Sequence, residues 1–319
     1  MVIMRSLFVL TLAFLLSERA SAYPRLPQVE CDARLETSVS TGRTETRIQC
    51  VNVGIDGQPL NSVLSRTPFF DTRFDQVFSF SQIANTVTAL EISSYGNVTI
   101  SNDGLNITPN LVHLSIDSEY NRRDHLIISS PTEFKNTPNL TSLQIGGFTL
   151  AESTIKAIGG LKEKLESLGV HDCSPGKKLL KQVEKFSKLK YNVEFSHLCD
   201  DGLFPPLTLR NSAPTLRMVR IEHCNLPVIP SKMFEGMRNL TYLQLSSSKV
   251  TSIEPGAFDD LINLKYLNLN ANRIRNVPTG LFDKMKNVMV VDLAKNEIEN
   301  VSRKNFTKSA SFERMELLI

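Results

Sequence analysis

Three histidines recur beside three cysteines at equal intervals. His171, His197 and His223 are evenly spaced, and Cys173, Cys199 and Cys224 each follow within two positions. Imidazole and thiolate are the donors of a structural zinc centre, so the series is the first candidate for chemistry. Its spacing matches no metal signature, however, and a repeated turn aligns any residue type at equal intervals. No metal is expected. The acidic pairs Asp200-Asp201 and Asp259-Asp260 could serve acid–base chemistry, but they read more simply as solvated loop charge. The chain contains no serine nucleophile elbow, Cys–His hydrolase signature, phosphate-binding loop or zinc-protease helix. These observations predict no catalytic residue, no cofactor and no enzymatic activity. Five cysteines leave one unpaired after any two bridges. Cys199 could bridge Cys173 or Cys224, because adjacent strands lie about 4.8 Å apart, within disulfide reach; alternatively all three are buried thiols in turns.

The elements that would carry these residues are set by a repeat. Leu216, Leu240, Leu264 and Val288 recur at one constant interval. Each opens the same pattern, in which positions 1, 4 and 6 are apolar and position 9 is Asn, Cys or Ser. Leu240-x-x-Leu243-x-Leu245-x-x-Ser248 and Leu264-x-x-Leu267-x-Leu269-x-x-Asn272 are two copies. An apolar residue follows at position 11: Leu226, Val250, Ile274 and Ile298. A second column, Phe234, Phe258, Phe282 and Phe306, keeps a fixed offset of six positions before each next start. Upstream the pattern weakens but continues, with candidate starts at Val87, Leu111, Leu140, Leu165 and Lys190. The Leu111 copy is longer than the others, and the polar stretch from Ser118 to Asp124 is the predicted insertion.

Alternating apolar positions make a short strand with one face inward. No single coil can bury that face alone, so successive coils must stack on one continuous core. Cys173 and Cys224 occupy position 9 in their copies. An asparagine there can satisfy backbone groups of neighbouring coils, as buried polar groups require.

With motifs such as Ile253-Glu254-Pro255-Gly256-Ala257-Phe258, the repeat resembles the typical 24-residue class of extracellular leucine-rich repeats. That class includes Slit-like, Toll-ectodomain and connectin-like repeat proteins of animals. The resemblance spans residues 85–319 and is most specific from Leu216 onward. It implies an α/β repeat, a right-handed solenoid with a concave parallel β-sheet and an N-terminal hairpin cap. The functions of such proteins are diverse; the expected one here is recognition or adhesion.

The ends give the compartment. Arg5, the apolar run from Leu7 to Leu16 and Ala20-Ser21-Ala22 compose a secretory signal over residues 1–22. The run is too short to span a bilayer, so a secreted, extracellular protein with no membrane span is expected. Residues 23–86 form the expected N-terminal cap, with Cys31 and Cys50 flanking the turn-like Ser40-Thr41-Gly42-Arg43. In an oxidising compartment this reads as a hairpin stapled by a Cys31–Cys50 disulfide. Related caps usually carry four cysteines; this one has two. Residues 87–319 hold the repeats. A last start is expected at Phe312, with Met315 and Leu317 following in frame, and the chain stops in mid-coil at Ile319. A partner or missing repeats would then cover that C-terminal edge.

Without the leader the chain has 34 basic and 32 acidic residues, a balance that predicts neither nucleic-acid binding nor a polybasic membrane patch. Six N-x-[ST] sequons, at Asn97, Asn106, Asn139, Asn239, Asn300 and Asn305, are expected glycosylation sites. None falls at positions 2, 3, 5, 7 or 8, which are expected to face outward from the concave sheet. Position 3 reads Met218, Tyr242, Tyr266 and Val290 along the stack, and aromatic or apolar columns suit interface centres. The expected ligand is an extracellular protein or receptor, docked near Met218, Arg220, Tyr242, Tyr266 and Asn268. The alternative is a matrix component that binds collagen-like or glycan polymers.

Overall fold

The computed structural model describes residues 29–37, 44–53, 60–66, 69–71, 76–78, 80–101, 105, 108–119, 124–135, 137–198, 202–299 and 316–318. The proposed leader, the acidic pair at 200–201, Cys199, Asn106, Asn300, Asn305, Phe306, Phe312 and Met315 lie outside them.

The chain opens with the hairpin of β1 (Glu30–Thr37) and β2 (Thr44–Val53), flanked by β3 (Phe69–Asp71) and β4 (Gln76–Phe78). There follow β5 (Val87–Ser94), β6 (Val98–Ile100), β7 (His113–Ser118), β8 (His125–Ile128), β9 (Ser142–Gly146) and β10 (Thr149–Leu150). Next come β11 (Ser167–His171), β12 (Val193–Ser196), β13 (Met218–Glu222), β14 (Val228–Ile229) and β15 (Tyr242–Gln244). The series closes with β16 (Ser252–Ile253), β17 (Tyr266–Asn268), β18 (Val290–Asp292) and β19 (Glu316–Leu318).

One 14-stranded sheet runs in the order β19-β18-β17-β15-β13-β12-β11-β9-β7-β5-β2-β1-β3-β4. From β19 to β2 every pairing is parallel. From β5 onward each pairing step is one coil. This is the expected right-handed solenoid with a concave parallel sheet. The strands of the four regular copies begin two positions after Leu216, Leu240, Leu264 and Val288. Equivalent positions stand opposite one another: Tyr242 pairs with Tyr266, Leu243 with Leu267 and Gln244 with Asn268.

The apolar columns fill the interior. Leu240, Leu243 and Leu245 are fully buried, as are their counterparts Leu264, Leu267 and Leu269. Each such side chain stabilises by about 1.5–3 kcal/mol relative to exposure. Phe134, Phe234, Phe258 and Phe282 close the opposite side, with the Phe234 and Phe258 rings 5.8 Å apart. The two coils that start at Leu140 and Leu165 place helices on this side, Glu152–Gly159 and Gly176–Val183. The regular coils from Leu216 onward close with turns.

The asparagine slot works as expected. Asn272 Nδ2 donates to the carbonyls of Leu245 and Leu269 at 2.8 Å. Its Oδ1 accepts from the Ser248 and Val250 N–H groups at 2.9 and 3.1 Å. Asn296 repeats the arrangement with Leu269, Leu293 and the N–H of Ile274.

Cys31 and Cys50 are opposite each other in the hairpin and bonded. Strand β2 continues directly into the repeat sheet beside β5, and Ser94 Oγ donates to the Val53 carbonyl at 2.7 Å. The cap therefore shares the repeat core.

The Lys190 copy keeps its expected frame, with Val193 opposite Leu168 and Phe195 opposite Val170, although Leu189 is buried and Lys190 half-exposed. One register expectation needs correction. In the last copy Leu317, not Met315, stands opposite Val291. That start falls two positions after Phe312. Residues two apart on a strand share a face, so the apolar alternation alone could not choose between the two frames.

Candidate ligand-binding face

The concave strands of the repeats are short, and their outward side chains come from positions 3, 5 and 7. Position 2 precedes most strands, and from the Leu140 coil onward position 8 lies in the following turn. Position 8 has positive φ in seven successive coils: Gly147, Asp172, His197, His223, Ser247, Ala271 and Lys295. This left-handed conformation turns the chain off the sheet at a cost for non-glycine residues. Position 8 therefore forms the rim of the face and not its floor.

At position 3, the Tyr242 and Tyr266 rings are stacked, with centroids 4.8 Å apart and planes 6° from parallel. Arg220 covers the other side of Tyr242, its guanidinium carbon 5.3 Å from the ring centroid. Arg220 Nη1 also lies 3.6 Å from Glu194 Oε2, while its buried Nε has no hydrogen-bond partner among the described residues. The Tyr242 hydroxyl donates to Gln244 Oε1 at 2.5 Å. Gln244 Nε2 donates in turn to Glu222 Oε1 and to Ser246 Oγ, and the Ser246 hydroxyl donates to the same Glu222 oxygen at 2.6 Å. Burial, ahead of all other causes, raises the Tyr242 hydroxyl above the ordinary tyrosine value, so it remains a proton donor.

Met218, Arg220, Tyr242 and Tyr266 thus form one half-buried ridge. Asn268 does not present its side chain in the same way. It is 7 % exposed, and its Oδ1 accepts from the Asn270 N–H at 2.9 Å.

A second cluster occupies positions 7 and 8 farther up the stack. His171 Nε2 lies 2.9 Å from Asp117 Oδ1, although the two are 54 positions apart and a whole coil lies between them. The intervening position 7 is Gly146, and a β-carbon there would collide with the His171 ring. The missing side chain is what lets the pair form. Asp172 adds a carboxylate 3.6 Å from His171 Nδ1 and 3.7 Å from His197 Nδ1. Sequence reasoning missed this cluster, because only the glycine at an outward position hinted at a side chain crossing it.

The hydrogen bond to Asp117 holds His171 above the ordinary histidine value of 6.5, outweighing burial. His113, on the neighbouring part of the face, is instead lowered, chiefly by burial. A raised folded value means that the stabilisation is fully present below about pH 6.5 and is lost as pH rises through the folded value. Gly146→Ala should displace the ring, bring the His171 titration down towards 6.5 and flatten this part of the stability profile. An NMR titration of the imidazole checks it; an unchanged midpoint would sink the assignment to Asp117.

Among the described residues the histidine–cysteine series does not converge. His197 and His223 stack ring on ring at 4.2 Å, which points their nitrogens sideways and not at a shared centre. Cys173 is buried beneath the sheet, and burial pushes its thiol up to about 12, an unreactive state. Among the described residues no group of three His, Cys, Asp or Glu side chains could hold a metal ion.

Two segments, residues 214–274 and 262–317, match the leucine-rich-repeat family model. The fold is that of a leucine-rich-repeat protein. No curated protein matches the chain significantly. Among solved structures, TLR13 in its complex with ssRNA13 is similar with a TM-score of 0.55 at 18% identity. That match covers 70% of this chain and 31% of TLR13, so the chain spans about a third of that protein's length. The internalin InlF of Listeria monocytogenes str. 4b F2365 is also similar, with a TM-score of 0.45 at 16% identity over 79% of this chain and 77% of that one. Among the described residues of this solenoid, no helix is long and apolar enough to cross a membrane. The described sequons Asn97, Asn139 and Asn239 are all exposed and off the concave strands.

Proposed function

We propose that this leucine-rich-repeat chain is a secreted recognition protein that docks an extracellular protein ligand on its concave face. The observation that carries the reading is the Tyr242–Tyr266 stack, held parallel on one side by Arg220 and tied by hydrogen bonds to Gln244. Stacked tyrosines present large area with little conformational freedom left to lose, and interface centres favour tyrosine and arginine. Met218 extends this ridge, standing opposite Tyr242 on the next strand.

RNA is the ligand named in the TLR13 complex. Here the outward positions carry Glu91, Asp117, Glu194, Glu222 and Asp292. Arg47, His171 and Arg220 are paired with three of these carboxylates, which leaves no basic stripe on the described strands, whereas nucleic-acid binding needs cations to displace counterions. A protein ligand fits this face better.

The test is Tyr242→Ala with Tyr266→Ala in folded, secreted protein, measured against the partner captured from extracellular fluid by the wild type. Affinity should fall by at least about 2 kcal/mol, roughly thirtyfold. Unchanged affinity would move the site off this ridge.

A further inference from the structure

Beside the docking ridge, at the edge where the chain enters the sheet, lies a polar cleft of about 290 Å³. It is lined by Arg217, Asn239, Thr241, Asn263, Lys265 and Asn287. These are the residues just before the strands and at position 2 of successive coils. Among the described residues, neither Arg217 nor Lys265 has a carboxylate partner. The cleft therefore combines two uncommitted cations with a row of amides, and its only carbonyl-type side-chain oxygens are those of the asparagines. It suits a hydroxyl- and amide-bearing ligand and disfavours an apolar one.

Both the acceptor and the hydroxyl of the sequon Asn239-Leu240-Thr241 line this cleft. We propose that Asn239 carries an N-linked glycan whose first sugar is seated here, against Arg217, Asn263 and Lys265. The proposal rests on the secreted reading above. In the transfer, the anomeric carbon leaves the pyrophosphate of a lipid-linked oligosaccharide donor and bonds to Asn239 Nδ2. One amide hydrogen is lost as a proton, and the lipid pyrophosphate departs.

The geometry permits this product. Asn239 Nδ2 spends one N–H on the Pro214 carbonyl at 2.7 Å, and the second is available for replacement. Thr241 Oγ1 donates to the Arg217 carbonyl at 3.0 Å, so the sequon hydroxyl is engaged once the coils have stacked. Transfer therefore precedes stacking, and folding closes the cleft around the sugar. Asn263 holds the equivalent place one coil on and donates to the Arg238 carbonyl at 2.9 Å. It is followed by Leu264 and Lys265 and is no sequon. It lines the seat with its remaining N–H, while its oxygen already accepts from Asn287 Nδ2 at 3.1 Å.

The glycan would fence the entry edge of the face, close to the start of the Tyr242 strand. A partner would then reach the tyrosine ridge from the opposite rim, where position 8 turns the chain away.

Asn139 supplies an internal control. It is an exposed sequon at the same place in its own coil, immediately before Leu140, and it does not line this cleft. Protein secreted from eukaryotic cells should carry glycans at both sites by mass spectrometry. Under native conditions, peptide N-glycosidase should release the Asn239 glycan about tenfold more slowly, the rate effect of one or two net hydrogen bonds. Arg217→Ser with Lys265→Ser, both exposed positions, should bring Asn239 to the Asn139 rate and leave the Asn139 rate itself unchanged. Equal release rates in the wild type, or an Asn239 left bare beside an occupied Asn139, would overturn the seat and leave secretion standing. A chain retained in the cell with every sequon unmodified would overturn the secreted reading as well.

Discussion

Asn272→Ala is expected to destabilise the C-terminal coils by about 3–5 kcal/mol, because it strands several buried backbone groups at once. The carbonyls of Leu245 and Leu269 lose their donor, and the N–H groups of Ser248 and Val250 lose their acceptor. Asn272 is 6 % exposed, so water can reach few of the stranded groups. Its contacts span from the Leu240 coil to its own. The loss therefore falls on the interface between coils, the quantity that sets stability in a stacked array. Asn272→Asp should do no better, since it keeps the acceptors, removes both donors and buries a charge. Urea unfolding monitored by circular dichroism measures the change. A shift below about 1 kcal/mol would show that water can enter the slot and replace the amide.

Phe258→Ala should cost a similar amount, about 3–5 kcal/mol, by a different route. Phe258 is fully buried, with the Phe234 ring 5.8 Å away on one side and the buried Phe282 in the next coil on the other. Truncation removes packing on both sides and leaves a cavity that two neighbouring coils would have to collapse into. Phe258→Leu keeps much of the volume and should cost only about 1–2 kcal/mol. Thermal unfolding of both variants, read against the wild type, tests the series. Equal effects of Ala and Leu would mean that shape at this position, and not volume, decides the packing.

These two positions also mark what could be read in advance. The phenylalanine column and the asparagine slot recur once per coil at a constant period, so their roles follow from counting. The Cys31–Cys50 bridge was legible from a short local span with a turn at its centre. Docking residues were legible only in kind. Tyr242 and Tyr266 are one repeat apart, which places them side by side, but the parallel stacking and the Arg220 cover depend on rotamers. Asn268 has the same sequence credentials as Gln244 and is nevertheless largely closed off, its oxygen taken by the Asn270 N–H.

The repeat by itself determined the solenoid, its core columns and the direction of its sheet, because each follows from a constant period and the need to bury apolar faces. It carried no such information where the period varies. The Asp117–His171 pair reaches across two coils of unequal length. It forms only because Gly146 leaves the space between them open. The frame of the last strand was decided by pairing with β18, since Met315 and Leu317 would lie on the same face in either frame. The position-8 turn is another such case, since Asp, His, Ser, Ala, Lys and Gly all adopt it. Stacking imposes that conformation on the seven coils from Leu140 onward, and no single residue type records it.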